Sequence, residues 1–120
     1  MIELYLDLPP TTNASFRVTR GRFYETDEYK KWKMVAQLQA RAQCGHKPTN
    51  QDIRLVIEMY QVFGGDIDGR LKPLLDALQG AVYDNDRQVV EISVCKFKAL
   101  NSQSVKCIVR YELPQVSLLE

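Results

Sequence analysis

Two aspartates, Asp66 and Asp68, stand at alternate positions in the run Gly64-Gly65-Asp66-Ile67-Asp68-Gly69-Arg70-Leu71-Lys72-Pro73, where a strand pattern gives way to a helix pattern. In an extended backbone alternate side chains project to one side, so both carboxylates can converge on one cation. The two glycines before them let the chain approach a bulky ligand closely. Lys72 follows one turn later, near enough to meet a phosphate held on that cation. A second acidic turn, Asp84-Asn85-Asp86, precedes a later strand and can come to rest beside the first. Such a cluster suits phosphodiester hydrolysis. A hard cation takes oxygen ligands, and Mg²⁺ commonly uses one or two carboxylates with water and substrate phosphate. Bound Mg²⁺ offsets charge on the attacked phosphorus and lowers the pKa of the attacking water. Lys72 would stabilise charge on a phosphate oxygen or orient the nucleophile. The same Asp-x-Asp also serves as turn and N-cap chemistry, where Asp is favoured without any metal. An EF-hand loop is excluded, because the later oxygen ligands and the closing Glu are missing.

The elements that position these groups follow from periodicity. Ile2, Leu4, Leu6 and Leu8 alternate with polar residues as a half-buried strand, and Pro9-Pro10 opens an irregular segment through Glu25. Thr26 caps a helix with Asp27 and Glu28 in its first turn. Trp32, Val35, Leu38 and Ala42 form its apolar stripe, and Gly45 and Pro48 stop it. Ile53, Leu55, Ile57 and Met59 alternate as a second strand. Leu71, Leu74, Leu75 and Leu78 mark a second helix, closed by Gly80; Pro73 places its start between Gly69 and Leu71. Val89 to Phe97 is a third strand, and Val105 to Leu113 a fourth, with Asn101-Ser102 at the turn before it. The order β-α-β-α-β-β predicts an α+β fold with helices packed on one mixed sheet, a single domain over 1–113 and a loose tail over 114–120.

Composition sets the outer limits. A chain of 120 residues, 45% apolar and 26% charged, is one domain's worth of folded protein. No stretch is apolar for the roughly 18 residues that a membrane span needs. Met1 to Tyr5 lacks the pattern of a secretory signal. Cys44, Cys95 and Cys107 are an odd, widely spaced set, which argues for a reduced, cytoplasmic setting and against a disulfide framework or zinc knuckle. Cys95 and Cys107 lie in strand patterns and read as core. The net charge of +1 hides a division. Between Phe16 and Pro48 there are eight Lys or Arg against three acids, and between Asp66 and Glu91 six acids against three cations. Cations to hold phosphates beside carboxylates to hold Mg²⁺ is the pairing a metal-using nuclease needs, although two solvated faces of opposite sign would look the same. His46 has no acid–base partner nearby in sequence. Asp76 reads as an i,i+4 partner of Lys72, and Glu91 as a solvated strand residue.

Asp66-Ile67-Asp68-Gly69-Arg70-Leu71-Lys72-Pro73, then Leu75-Asp76-Ala77-Leu78, then Asp84-Asn85-Asp86-Arg87-Gln88-Val89-Val90 resembles the core of the RusA-type Holliday junction resolvases. Pro9-Pro10-Thr11-Thr12-Asn13, Gly21-Arg22 and Tyr24 fit the family's N-terminal part more loosely. The resemblance implies a Mg²⁺-dependent homodimer that cuts opposed strands of a four-way DNA junction symmetrically in recombination and repair. It also implies that Asp66, Asp68 and Asp86 hold the metal and that Lys72 is the catalytic base. Gly69 stands where family members commonly have Asn, and Asn85 where many have an acid. A two-fold junction suits two identical sites related by a two-fold. On this reading Arg17, Arg20, Arg22, Lys30, Lys31 and Lys33 contact the DNA backbone. Phe16, Phe23 and Tyr24 then stack on unpaired bases or pack in the core. Two other functions use the same residues: a Mg²⁺-dependent phosphohydrolase acting on other DNA structures or nucleotides, and a junction-binding protein that does not cut.

Overall fold

The computed structural model describes residues 1–62, 64 and 66–113, without the side chains of Thr12 and Asn13; the tail expected at 114–120 lies outside the described residues. The alternating Ile53–Gln61 strand, β4, buries Ile53, Leu55, Ile57, Met59 and Gln61 on one face and turns the residues between them outward. It is central in a sheet ordered β1-β6-β4-β5, with β1 at Ile2–Leu6, β5 at Val89–Lys98 and β6 at Lys106–Tyr111. β4 and β5 are parallel, whereas β6 runs antiparallel to both β1 and β4, so the sheet is mixed as the element order predicts.

Two long helices cover the inner face. Helix α2, Asp27–Cys44, begins at Thr26, whose hydroxyl accepts from the Tyr29 amide, and ends at Gly45 in the left-handed region. Both limits match the cap residues. Its buried stripe is Tyr29, Ala36, Ala40 and Cys44, while Leu38 is 58% exposed. The stripe expected over Trp32, Val35, Leu38 and Ala42 is therefore rotated. Small alanines win the inward positions because they let the helix lie close to the sheet. Helix α2 also shields the edge strand β1. The Gln43 side chain accepts from the Tyr5 amide at 2.7 Å and donates to the Tyr5 carbonyl at 2.8 Å, and Gln39 accepts from the Asp7 amide at 3.1 Å. An exposed edge would otherwise be a template for unwanted pairing.

Helix α3 spans Ile67–Leu78 and starts earlier than the Gly69-to-Leu71 start expected from Pro73. Asp66 in extended conformation and Asp68 in the first turn suit the positive end of the helix dipole, and this start signal outweighs the proline. Leu74 and Leu78 are fully buried, with Leu71 and Leu75 packed beside them. Burying such a side chain contributes about 1.5–3 kcal/mol, enough together to carry the helix through Pro73.

The segment expected to be irregular before Glu25 contains a one-turn helix α1, Thr12–Ser15, and a hairpin of β2, Phe16–Thr19, with β3, Arg22–Glu25. Arg20 and Gly21 form its turn with φ of 54° and 74°, the paired positive values of a tight hairpin turn. The x-Gly turn between aromatic and β-branched residues was the available signal. Cys107 is buried, and burial pushes its thiol up to about 12. Cys95 is exposed, against the core position expected for it, because it lies on the outward face of the edge strand β5.

One side chain binds these pieces at the end of the sheet where β4 finishes. The Arg70 guanidinium, half-buried in the first turns of α3, donates from Nε to Gln61 Oε1 at 3.0 Å and from Nη1 to the Pro9 carbonyl. Burial holds its pKa below the usual arginine value. Arg70→Leu should destabilise the fold by about 2–4 kcal/mol, since the Pro9 carbonyl loses its charged donor. Urea unfolding checks this, and an unchanged midpoint would remove Arg70 from the account.

Candidate functional site

The parallel pair sets the position of the acids. Chain leaving β4 at Gln61 reaches Asp66 and enters α3, which runs back across the sheet to feed β5. Asp66 and Asp68 therefore stand at the carboxyl end of β4, the end where open α/β crossovers place ligands. Both are exposed, and Asp66 makes no side-chain cap hydrogen bond. The extended geometry expected for the pair does not hold: Asp66 precedes the helix and Asp68 belongs to its first turn. The helix start is what keeps them together, with both carboxylates at the positive end of the dipole.

Lys72 lies one turn beyond Asp68 on the same helix face, and its ammonium is 3.5 Å from Asp76. Asp76 also accepts a hydrogen bond from the Tyr29 hydroxyl at 3.2 Å. The i,i+4 role expected for Asp76 is thus present, and it gives Lys72 a defined direction. Burial and the nearby Asp76 carboxylate raise the pKa of Tyr29. Gly69 has open space where a Cβ would project, so a side chain there would start without displacing a neighbour.

Asp86 is placed differently. It begins a 3₁₀ turn, Asp86–Gln88, directly before β5, and its amide donates to the Gln79 side chain at the C-terminal end of α3. From Asp68 to Gln79 the helix rises about 16 Å at 1.5 Å per residue. Within one chain the first two acids and the third thus lie toward opposite ends of α3. Among the described residues no three of Asp, Glu, His or Cys come close enough to hold one metal ion. Asp66 and Asp68 by themselves fit a hard cation, as paired oxygen donors without competing partners among the described residues.

The turn that carries Asp86 is tightly built. Asn85 Oδ1 accepts from the Arg87 amide at 2.9 Å, and Gln88 Oε1 accepts from the Asn85 amide at 2.7 Å, a reciprocal cap. Gln88 Nε2 then donates to the carbonyls of Thr49 at 2.7 Å and Gln51 at 2.8 Å. Asn85 and Gln88 are structural residues that fix where Asp86 sits. A cap motif of Asn followed three residues later by Gln was the signal for both.

The basic residues fall into two groups. Arg17, Arg20 and Arg22 are exposed on the β2–β3 hairpin beside Phe23, 78% exposed, and Tyr24, 48% exposed. Phe16 instead packs on Tyr29, with ring centroids 5.3 Å apart. Lys30 and Lys31 are exposed on α2, while Lys33 lies 3.9 Å from Glu25 and 5.6 Å from the Tyr29 ring centroid. The Thr26 hydroxyl donates to the Ala14 carbonyl at 2.7 Å, and Arg70 holds Pro9, so the hairpin is rooted at the Asp66–Asp68 end of the fold. Glu91 pairs with Arg54 at 2.9 Å, in line with its solvated-strand reading. His46 finds a structural partner, 2.6 Å from the Tyr111 hydroxyl. No helix is long and apolar enough to cross a membrane among the described residues.

A comparison with curated proteins finds no match. The family model for endodeoxyribonuclease RusA matches residues 7–110, from the end of β1 through nearly all of β6. That span contains Arg70 and its partners, both acidic segments, Lys72 and the basic hairpin, and the chain accordingly belongs to the RusA endodeoxyribonuclease family, whose members are hydrolytic nucleases.

Proposed function

We propose that this chain is a Mg²⁺-dependent resolvase of four-way DNA junctions, acting as a homodimer in cytoplasmic DNA recombination and repair. The observation that carries the reading is the gathering of Asp66, Asp68 and Lys72 at the end of the sheet from which the Arg17–Arg20–Arg22 hairpin rises. Carboxylates for the ion and cations for the DNA backbone then share one edge of the molecule. Arg17, Arg20, Arg22, Lys30, Lys31 and Lys33 hold phosphates, and the exposed rings of Phe23 and Tyr24 suit unpaired bases at a branch point.

Asp66 and Asp68 would hold Mg²⁺, which when bound supplies Lewis-acid chemistry at the attacked phosphate. The family resemblance implies that Lys72 acts as base toward the attacking water, and its contact with Asp76, which Tyr29 also binds, sets its direction. Asp86 is the third metal-binding acid, and its distance along α3 supports a site completed by a second copy of the chain. Two protomers related by a two-fold axis then supply Asp66 and Asp68 from one and Asp86 from the other, twice over. Such symmetry matches the two-fold of a four-way junction and gives paired nicks in opposed strands.

Incubation of an end-labelled four-way junction with wild type and Asp68→Asn, in Mg²⁺ or EDTA, tests the reaction. Paired symmetric nicks are expected only from wild type with Mg²⁺, with the variant slower by about a hundredfold or more. Cutting of plain duplex or nucleotides alone would favour the broader phosphohydrolase, tight binding without nicks a junction-binding protein, and equal cutting by Asp68→Asn would overturn the metal assignment. Junction affinity should also fall steeply and linearly in log–log form as salt rises, because phosphate contacts release counterions. A flat response from low to moderate salt would remove the basic residues from the DNA interface.

A further inference from the structure

The two edges of the sheet are finished differently. At one edge, the backbone of β1 and of Asp7 just after it is bound by Gln39 and Gln43 of α2. At the other edge β5 runs for 10 residues, pairs with β4 on one side, and has no strand on its other side among the described residues. Such an edge is a template for a further strand unless something guards it. Between Val90 and Cys95 the usual guards are missing: there is no Pro, Gly or Lys, and the single charge, Glu91, is bound to Arg54 at 2.9 Å. The helix layer also stops short of this edge. Ile92 and Val94 share the inner face with Leu55 and Ile57, which are fully buried, yet they are only half-buried, as are Leu71 and Leu75 on α3.

From these observations we infer that β5 is the edge through which a second copy of the chain completes the acidic site. The two β5 strands pair antiparallel near Ser93 and Val94 and join two four-stranded sheets into one. A two-fold normal to the sheet pairs a strand with its own copy in this way and keeps both helix layers on one side. Because β4 and β5 are parallel, Asp66 and Asp68 follow the end of β4 while Asp86 precedes the start of β5, at the opposite end of the sheet. Antiparallel β5 strands lay the start of one beside the end of the other. Asp86 of each copy then stands where Asp66 and Asp68 of the other begin α3, two strand spacings or about 10 Å across. The Asp86 amide bond to Gln79, at the end of α3, keeps it on the helix side, where the other two acids also lie. Packing the open faces of two sheets together would instead leave the helices, and the acids with them, on the outsides of the pair. Pairing through β1 would have to break the Gln43 bonds and would set the acids toward the far edges of the joined sheet.

The inference rests on the homodimer reading and names its interface, and its test needs no cleavage. Cys95 is exposed in the middle of β5, whereas Cys44 and Cys107 are buried, so the chain carries its own reporter. Without DNA or metal, wild type should sediment as a dimer. A short bifunctional maleimide should then join the two Cys95 thiols, which neighbouring antiparallel strands hold with their Cα atoms within about 10 Å. Ser93→Lys and Ser93→Glu change an exposed position, and far-UV circular dichroism checks that each variant is folded. Each variant alone should raise the dimer dissociation constant at least about tenfold and lose the crosslink, because like charges then face each other across the two-fold. An equimolar mixture of the two should restore both. A wild-type dimer that does not crosslink through Cys95 and is not weakened in either variant would overturn the β5 interface and leave the homodimer reading standing. A chain that stays monomeric both alone and on a four-way junction would overturn the homodimer reading and the interface together.

Discussion

The Arg70 guanidinium holds together the part of the molecule on which everything else depends. Its two acceptors, the Gln61 side chain and the Pro9 carbonyl, belong to the ends of β4 and of the β1 segment, and its own backbone belongs to α3. A half-buried guanidinium gains from such partners, and its fork satisfies two acceptors in fixed directions. With that tie made, α3 must start at the carboxyl end of β4, Asp66 and Asp68 must stand there, and the hairpin rooted after Pro10 must rise nearby.

The same constraint fixes what a single chain does not bring together. A crossover between parallel strands has to carry the chain the length of the sheet, so the residue before β5 lies at the other end from the residue after β4. Asp86 inherits that position, and the Asn85–Gln88 cap with the Gln88 bonds to Thr49 and Gln51 keeps it there. A turn so firmly built has little freedom to swing toward Asp68. In the proposed homodimer, two copies arranged about a two-fold would resolve the separation without moving either acid.

Much of the fold was legible in local pattern. The alternation of β4, the Thr26 and Gly45 caps of α2 and the leucine spacing of α3 each rest on a short-range rule, and each element is present. The errors came where two rules competed or where distance in space mattered. Pro73 argued for a late helix start and the Asp66–Asp68 pair for an early one, and the early start with both acids at the positive end of the dipole is the one present. Along α2 two stripes were available, and the one with alanines faces inward because only it permits close packing. The hairpin hid in a segment read as irregular, its strands exposed and its turn opened by a non-glycine residue, Arg20, at positive φ before Gly21. The chemistry-bearing residues stood out by type and motif, but their separation depends on the direction of the crossover, which no local period encodes.

Mixing two inactive variants tests most directly whether the acids at opposite ends of α3 are joined between copies. Asp68→Asn and Asp86→Asn are each purified, shown to be inactive on a four-way junction in Mg²⁺, and then combined to allow subunit exchange. In a mixed dimer one shared site keeps Asp66 and Asp68 from one protomer and Asp86 from the other, so nicking of a single strand should return. If each site is built within one chain, every site in the mixture carries a lesion, and persistent inactivity with exchange demonstrated would contradict the account.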